Sequence, residues 1–176
     1  MKKFTAIFVA DKSFLGRIVG GVIKTVTDSK FAHVAMKLEI NGVDVVVETM
    51  QPTMFIHDGN IYDNDADYEY IERLEIILND VQHEMIVAKI QQLLSEHHSY
   101  GLVTDCLAGG LASVFGDAIG SEFVEHIDAC KQTLNCSETY TLVLRAAFEN
   151  FAGDIVADIV TPERAYEETN MYFFNR

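Results

Sequence analysis

The sequence predicts an α+β chain, and three observations carry that reading. An Asn41-Gly42 pair separates two runs of alternating apolar residues. Tyr68–Leu78 is a further run rich in aromatic and β-branched residues. Two later segments, after Asn79 and from Cys136, change to helical apolar spacing behind side chains suited to capping. The 176 residues contain no linker or internal repeat. One domain spanning 1–176 is therefore expected, large enough to bury a core.

Taken in order, Phe4–Ala10 reads as a first buried strand. The opening MKKFTAIFVADKS superficially resembles a secretory signal, but its apolar run is short and meets Asp11 and Lys12 at once. Phe14–Thr27 has the apolar spacing of an amphipathic helix, weakened by Gly16, Gly20 and Gly21. Phe31–Ile40 and Val43–Met50 form the predicted hairpin. Gln51–Asp67, with Pro52, Gly59 and several Asp and Asn residues, reads as a loop before the strand Tyr68–Leu78.

Asn79 with Gln82 makes a capping box for a helix running to about Ser95, expected to bury Val81, Met85, Ile86, Ile90, Leu93 and Leu94. Leu102–Phe115 is a more apolar helix interrupted by Gly109-Gly110, and Ser121–Asn135 a mostly polar connection. The helix from Cys136 should continue to about Phe151, with Gly153 ending it. Thr161-Pro162 supplies the cap and first position of a short last helix.

Charge narrows the function classes. Thirteen Lys+Arg against 27 Asp+Glu give a formal −14, which repels phosphate backbones and disfavours nucleic acid as a partner. No run reaches the roughly 18 apolar residues of a membrane span. The cysteines, Cys106, Cys130 and Cys136, are odd in number and form no C-x-x-C pair. That argues against a disulfide framework and fits a reducing, cytoplasmic setting, with secretion by an atypical signal the alternative. His97 and His98 near Asp105 match no common zinc spacing, so neither metal nor other cofactor is expected.

If Asn41-Gly42 is a two-residue turn, Ile40 faces Val43 and the cross-strand pairs Leu38 with Val45, Met36 with Val47, Ala35 with Glu48 and His33 with Met50 follow. Ala32, Val34, Met36, Leu38, Ile40, Val43, Val45 and Val47 then share the core face. His33 and Glu48 share the opposite face as diagonal neighbours, roughly 7–8 Å apart by backbone. Such a carboxylate can fix the imidazole tautomer, and Ala35 opposite Glu48 would leave space beside the histidine. The same placement equally describes a surface ion pair.

Asn135 is a good N-cap, which puts Cys136 at the first helical position and Ser137 and Glu138 in the first turn. A helix dipole and free backbone N–H groups favour a thiolate there and can donate to an oxyanion. A small buried hydrophobe is the other reading of the same cysteine. Cys106 and Cys130 read as structural.

Taken together, FAHVAM, VVVETM and NCSETYTLV place a histidine and a glutamate ahead of a cysteine at a helix start. This order resembles the circularly permuted papain-like amidases related to NlpC, the YiiX/YaeF-like group. Ala32-His33, Glu48, Tyr100 and Cys136-Ser137-Glu138 fill the family's places, and the resemblance spans roughly Phe4 to Ala165. It implies a permuted papain-like fold, in which an antiparallel sheet (a partial barrel) packs against helices and the nucleophile stands at a helix N-terminus. It further implies a cysteine hydrolase cleaving a peptide or peptidoglycan-like amide, with Cys136 as nucleophile, His33 as general acid and base, and Glu48 as orienter. Tyr100 and Ser137 are candidates for substrate or oxyanion contacts. The apolar Leu102–Phe123 stretch motivates acyl transfer or lipid or thioester hydrolysis on the same residues, with a lipid ligand. Departures from the family pattern, including Gly101 after Tyr100, motivate a third expectation: a binding or inhibitory protein without the chemistry, its acidity suited to a basic protein partner.

Overall fold

The computed structural model describes residues 1–11, 30–50, 53–96, 99–100, 133–153 and 155–175. The helices expected at Phe14–Thr27 and Leu102–Phe115, with Cys106, Cys130, His97 and His98, lie outside the described residues.

Five strands, β1 (Lys2–Asp11), β2 (His33–Ile40), β3 (Val43–Met50), β4 (Thr53–Asp58) and β5 (Tyr68–Leu78), form one antiparallel sheet in the order β4-β3-β2-β1-β5. The β2–β3 turn has positive φ at both Asn41 (52°) and Gly42 (80°). That conformation suits the right-handed twist of a two-residue hairpin, and Asn and Gly tolerate it best. The register runs from Ile40↔Val43 through Leu38↔Val45 to Met36↔Val47, as the two-residue turn requires.

The connection expected at Gln51–Asp67 contains a strand. β4 pairs with β3 from Val45↔Asp58 to Met50↔Thr53. Pro52 precedes the strand and Gly59 follows it, so these residues bound the Thr-Met-Phe-Ile run rather than break it. As the sheet's edge, β4 leaves Ile56 exposed.

Helix α1 (Asp80–Ser95) begins at the expected capping box, in which Asn79 and Gln82 each accept the other's backbone N–H. Ile86, Ile90 and Leu93 are buried, with Val87 and Leu94 packed beside them. Val81 and Met85, expected in the core, face outward at 64% and 45% exposure. The buried stripe is narrower than the apolar spacing suggested, because only one side of the helix meets the sheet and its neighbour α2.

Helix α2 (Cys136–Ala147) packs on the same sheet face through Tyr140, Val143 and Leu144. Tyr140 is fully buried, edge-on to Phe8 and Phe151, and its hydroxyl meets Thr169 Oγ1 at 2.7 Å. The helix stops at Ala147, short of the expected Phe151. The chain instead turns back through Ala152 and Gly153, both at positive φ. Arg145 stabilises that turn by donating to the carbonyls of Phe151 (2.9 Å), Gly153 (3.1 Å) and Ile155 (2.5 Å). A guanidinium can satisfy several acceptors at once, which replaces a helical continuation.

Helix α3 (Pro162–Thr169) starts as read, with the Thr161 hydroxyl accepting from Arg164 N and proline at the first helical position. Two short strands, β6 (Ser99–Tyr100) and β7 (Thr133–Leu134), pair in parallel ahead of α2. Two apolar clusters result. The larger lies between sheet and helices around Phe4, Phe8, Met36 and Tyr140. The smaller lies on the other sheet face around Ile7, Val9, Ala35, Val46 and Tyr62.

Candidate active site

His33 is the first residue of β2, and the chain entering it is fixed by Ala32 N donating to Val9 O at 2.9 Å. Glu48 is the sixth residue of β3, one strand away. The hairpin register brings their tips together: His33 Nε2 lies 2.6 Å from Glu48 Oε2. Both strands are interior to the sheet, and Glu48 is 2% exposed. A carboxylate so placed differs from a solvated surface pair, because each of its partners acts without screening by water.

The space expected beside Ala35 is filled. Ala35 and Val46 are fully buried under Tyr62. The Tyr62 hydroxyl donates to the same Glu48 Oε2 at 2.5 Å. The other oxygen, Oε1, has His57 Nε2 at 3.1 Å, without the alignment of a hydrogen bond. Tyr62 and His57 come from the stretch read as a loop, so no strand period announced them. The available signal was an aromatic residue, preceded by Ile61, inside the mostly polar run Gly59–Asp67. Val43, placed in the core by alternation, is 61% exposed because it adjoins the turn.

Cys136 stands at the first position of α2, 4% exposed, with no disulfide to another described residue. Asn135 and Glu138 form a full capping box: Asn135 Oδ1 accepts from Glu138 N at 2.7 Å, and Glu138 Oε2 accepts from Asn135 N at 3.2 Å. One turn on, Thr139 Oγ1 meets Thr49 Oγ1 at 2.7 Å, tying the start of α2 to the strand that carries Glu48. The Cys136 thiol lies close enough to the His33 imidazole to interact with it electrostatically.

Burial opposes a charge on His33, but Cys136 and then Glu48 outweigh it, pushing the imidazole up to about 10. Burial likewise opposes ionisation of Glu48. Hydrogen bonding and charge from His33, with the Tyr62 hydroxyl and His57, overcome it and hold the carboxyl below its ordinary range. Tyr62 is pushed well above the usual phenol range by burial and by the neighbouring carboxylate, so it remains a donor. These environments favour an imidazolium paired with the buried Glu48 carboxylate.

Of the other candidate residues, Ser137 is buried, and its hydroxyl lies between two acceptors, Val160 O and Asn135 Oδ1, to either of which it can donate its one proton. That geometry commits its side chain to the cap and the Val160 segment. Tyr100 pairs by backbone with Leu134, two residues before Cys136, while its side chain lies outside the described residues.

Among the described residues, no group of three or more His, Cys, Asp and Glu side chains is arranged to hold a metal ion. No described helix is long and apolar enough to cross a membrane. Comparison with protein-family models, curated proteins and solved structures found no match.

Proposed function

We propose that this chain is a cysteine hydrolase of the permuted papain-like kind, cleaving an amide through Cys136, His33 and Glu48. The observation that carries the reading is a single imidazole bonded to a buried carboxylate and lying within electrostatic reach of a thiol at a helix start. The Cys136 thiolate would attack the carbonyl carbon, and His33 would give its proton to the departing amine nitrogen. Neutral His33 would then take a proton from water as that water attacks the thioacyl carbon. Collapse of the resulting intermediate releases the acid and restores the thiolate–imidazolium pair.

An oxyanion would be met by backbone donors at the start of α2. Glu138 N–H serves the cap and Thr139 N–H bonds Asn135 O. The Cys136 and Ser137 N–H groups precede these and are the candidates. Tyr100, near by virtue of the β6–β7 pairing, is a further candidate donor.

The test is turnover of a panel of dipeptide amides by the purified protein. Cys136→Ala and His33→Ala should each lower kcat by at least about 10³-fold, as for removal of an acting nucleophile or base. Iodoacetamide should label Cys136 in the native state, read by peptide mass. A thiol that reacts only after unfolding would overturn the reading. The apolar Leu102–Phe123 sequence favours a second reading, acyl or lipid ester chemistry on the same three residues. Accumulation of a fatty-acyl adduct on Cys136, seen by intact mass, would select it over the amidase.

A further inference from the structure

Glu48 lies between two histidines. His33 Nε2 reaches its Oε2 at 2.6 Å, and His57 Nε2 lies 3.1 Å from its Oε1 without forming an aligned hydrogen bond. His57 Nε2 is also buried and has no other partner among the described residues. An aligned bond from His57 to Glu48 would satisfy that nitrogen and compete with the bond to His33. Unsatisfied buried donors and acceptors are costly, so this alternative pairing has a real driving force. Something must hold Glu48 toward His33.

Tyr62 is built to do so. Its hydroxyl donates to the oxygen that His33 uses, at 2.5 Å. Its ring lies near Tyr68, centroids 5.5 Å apart, over the cluster of Ile7, Val9, Ala35 and Val46. Its carbonyl accepts from Arg73 Nη2 at 2.5 Å, and Arg73 also binds Asp65 Oδ1 at 2.5 Å. The turn leading to it is closed by Gly59 N donating to Asp44 O at 3.1 Å. A Cβ at Gly59 would lie 2.8 Å from that carbonyl oxygen, so the close approach needs glycine. Strand β5, the β4–β5 connection and the outer cluster thus fix where this phenol points.

We propose that Tyr62 is a positioning residue that commits the Glu48 carboxylate to His33 in preference to His57. Its hydroxyl occupies one lobe of Oε2 and leaves the adjacent lobe to His33, which fixes the plane of the carboxylate. Loss of the hydroxyl frees Glu48 to turn toward His57, and the imidazolium facing Cys136 loses its orienting partner. The inference rests on the proposed Cys136–His33–Glu48 site, but its readouts need no substrate.

The experiment compares wild type, Tyr62→Phe, His57→Gln and the double variant at pH 7.5. The rate of Cys136 alkylation and the downfield ¹H–¹⁵N NMR signal of the His33 ring N–H are measured in each. Tyr62→Phe keeps the packed ring, and thermal unfolding establishes that it folds. Alkylation in Tyr62→Phe should slow about tenfold, the scale of one charge-assisted hydrogen bond, and the His33 signal should shift or broaden. Adding His57→Gln removes the competing imidazole and should recover at least half of the lost rate, with the His33 signal restored. Two results would overturn the proposal: Tyr62→Phe matching wild type in both readouts, or a slowed Tyr62→Phe that His57→Gln does not rescue. Failure of the hydrolase reading would appear separately, as a wild type that turns over no amide while the NMR comparison stands.

Discussion

Replacing Glu48 by glutamine probes the charge at the centre of the site while keeping its shape. The native carboxylate is 2% exposed and accepts from His33 and Tyr62 at 2.6 and 2.5 Å. A buried hydrogen bond to a charged group contributes about 1.5–3 kcal/mol, and a neutral one about 0.5–1.5. Neutralising the acceptor of two such bonds should therefore cost about 2–3 kcal/mol. For a chain of this size that corresponds to a fall of about 5–10 °C in Tm.

The pH dependence gives the sharper check. His33 is raised from its ordinary 6.5 to about 10, so its stabilising contribution is complete below 6.5 and fades as pH rises toward 10. Glu48 is lowered from its ordinary 4.5, so its contribution is complete above 4.5 and fades as pH falls through its depressed value. Both are intact between 4.5 and 6.5. Calorimetric unfolding at closely spaced pH values should show the largest gap between wild type and Glu48→Gln in that window. The gap should narrow toward pH 10 and again in strong acid. Coincident melting curves, or a gap independent of pH, would refute the buried ion pair as the source of these shifts.

Two further substitutions test the scaffold of the site. Asn135→Ala removes the acceptor for Glu138 N and should cost about 1 kcal/mol in denaturant unfolding, as lost N-caps do. It should also slow Cys136 alkylation, since it loosens the turn that presents the thiol. Gly59→Ala brings a Cβ to 2.8 Å from Asp44 O, which should destabilise by about 1–3 kcal/mol, read as a lower urea midpoint.

What could be read from the sequence was local. Asn41-Gly42 imposes one turn geometry, so it specifies the β2–β3 register and with it the diagonal placement of His33 and Glu48. Asn135 with Glu138 names both halves of a capping box within four residues, and Asn79 with Gln82 does the same for α1. What could not be read depends on segments meeting across long stretches of chain. Met85 has the right spacing for α1's buried face but stands where the sheet does not reach. The Ser137 hydroxyl is held by the Val160 carbonyl, which arrives from 23 residues away. Tyr62 sits in a polar connection whose path is set by Arg73 and by the Gly59–Asp44 contact, neither of which has a periodic signature.

The order of these parts along the chain bears on how the protein is made. Synthesis proceeds from the N-terminus, and the sheet through Leu78 includes two hairpins, β2–β3 and β3–β4, whose strands are consecutive. His33, Glu48 and Tyr62 all belong to that first-emerging portion. Cys136 leaves the ribosome dozens of residues later, and its approach to His33 waits for α2 to dock through Thr139 on Thr49. The histidine–carboxylate half can assemble while no thiol is present to react. The meeting of Cys136 with His33 thus becomes a late event in folding, coupled to closure of the core around Tyr140.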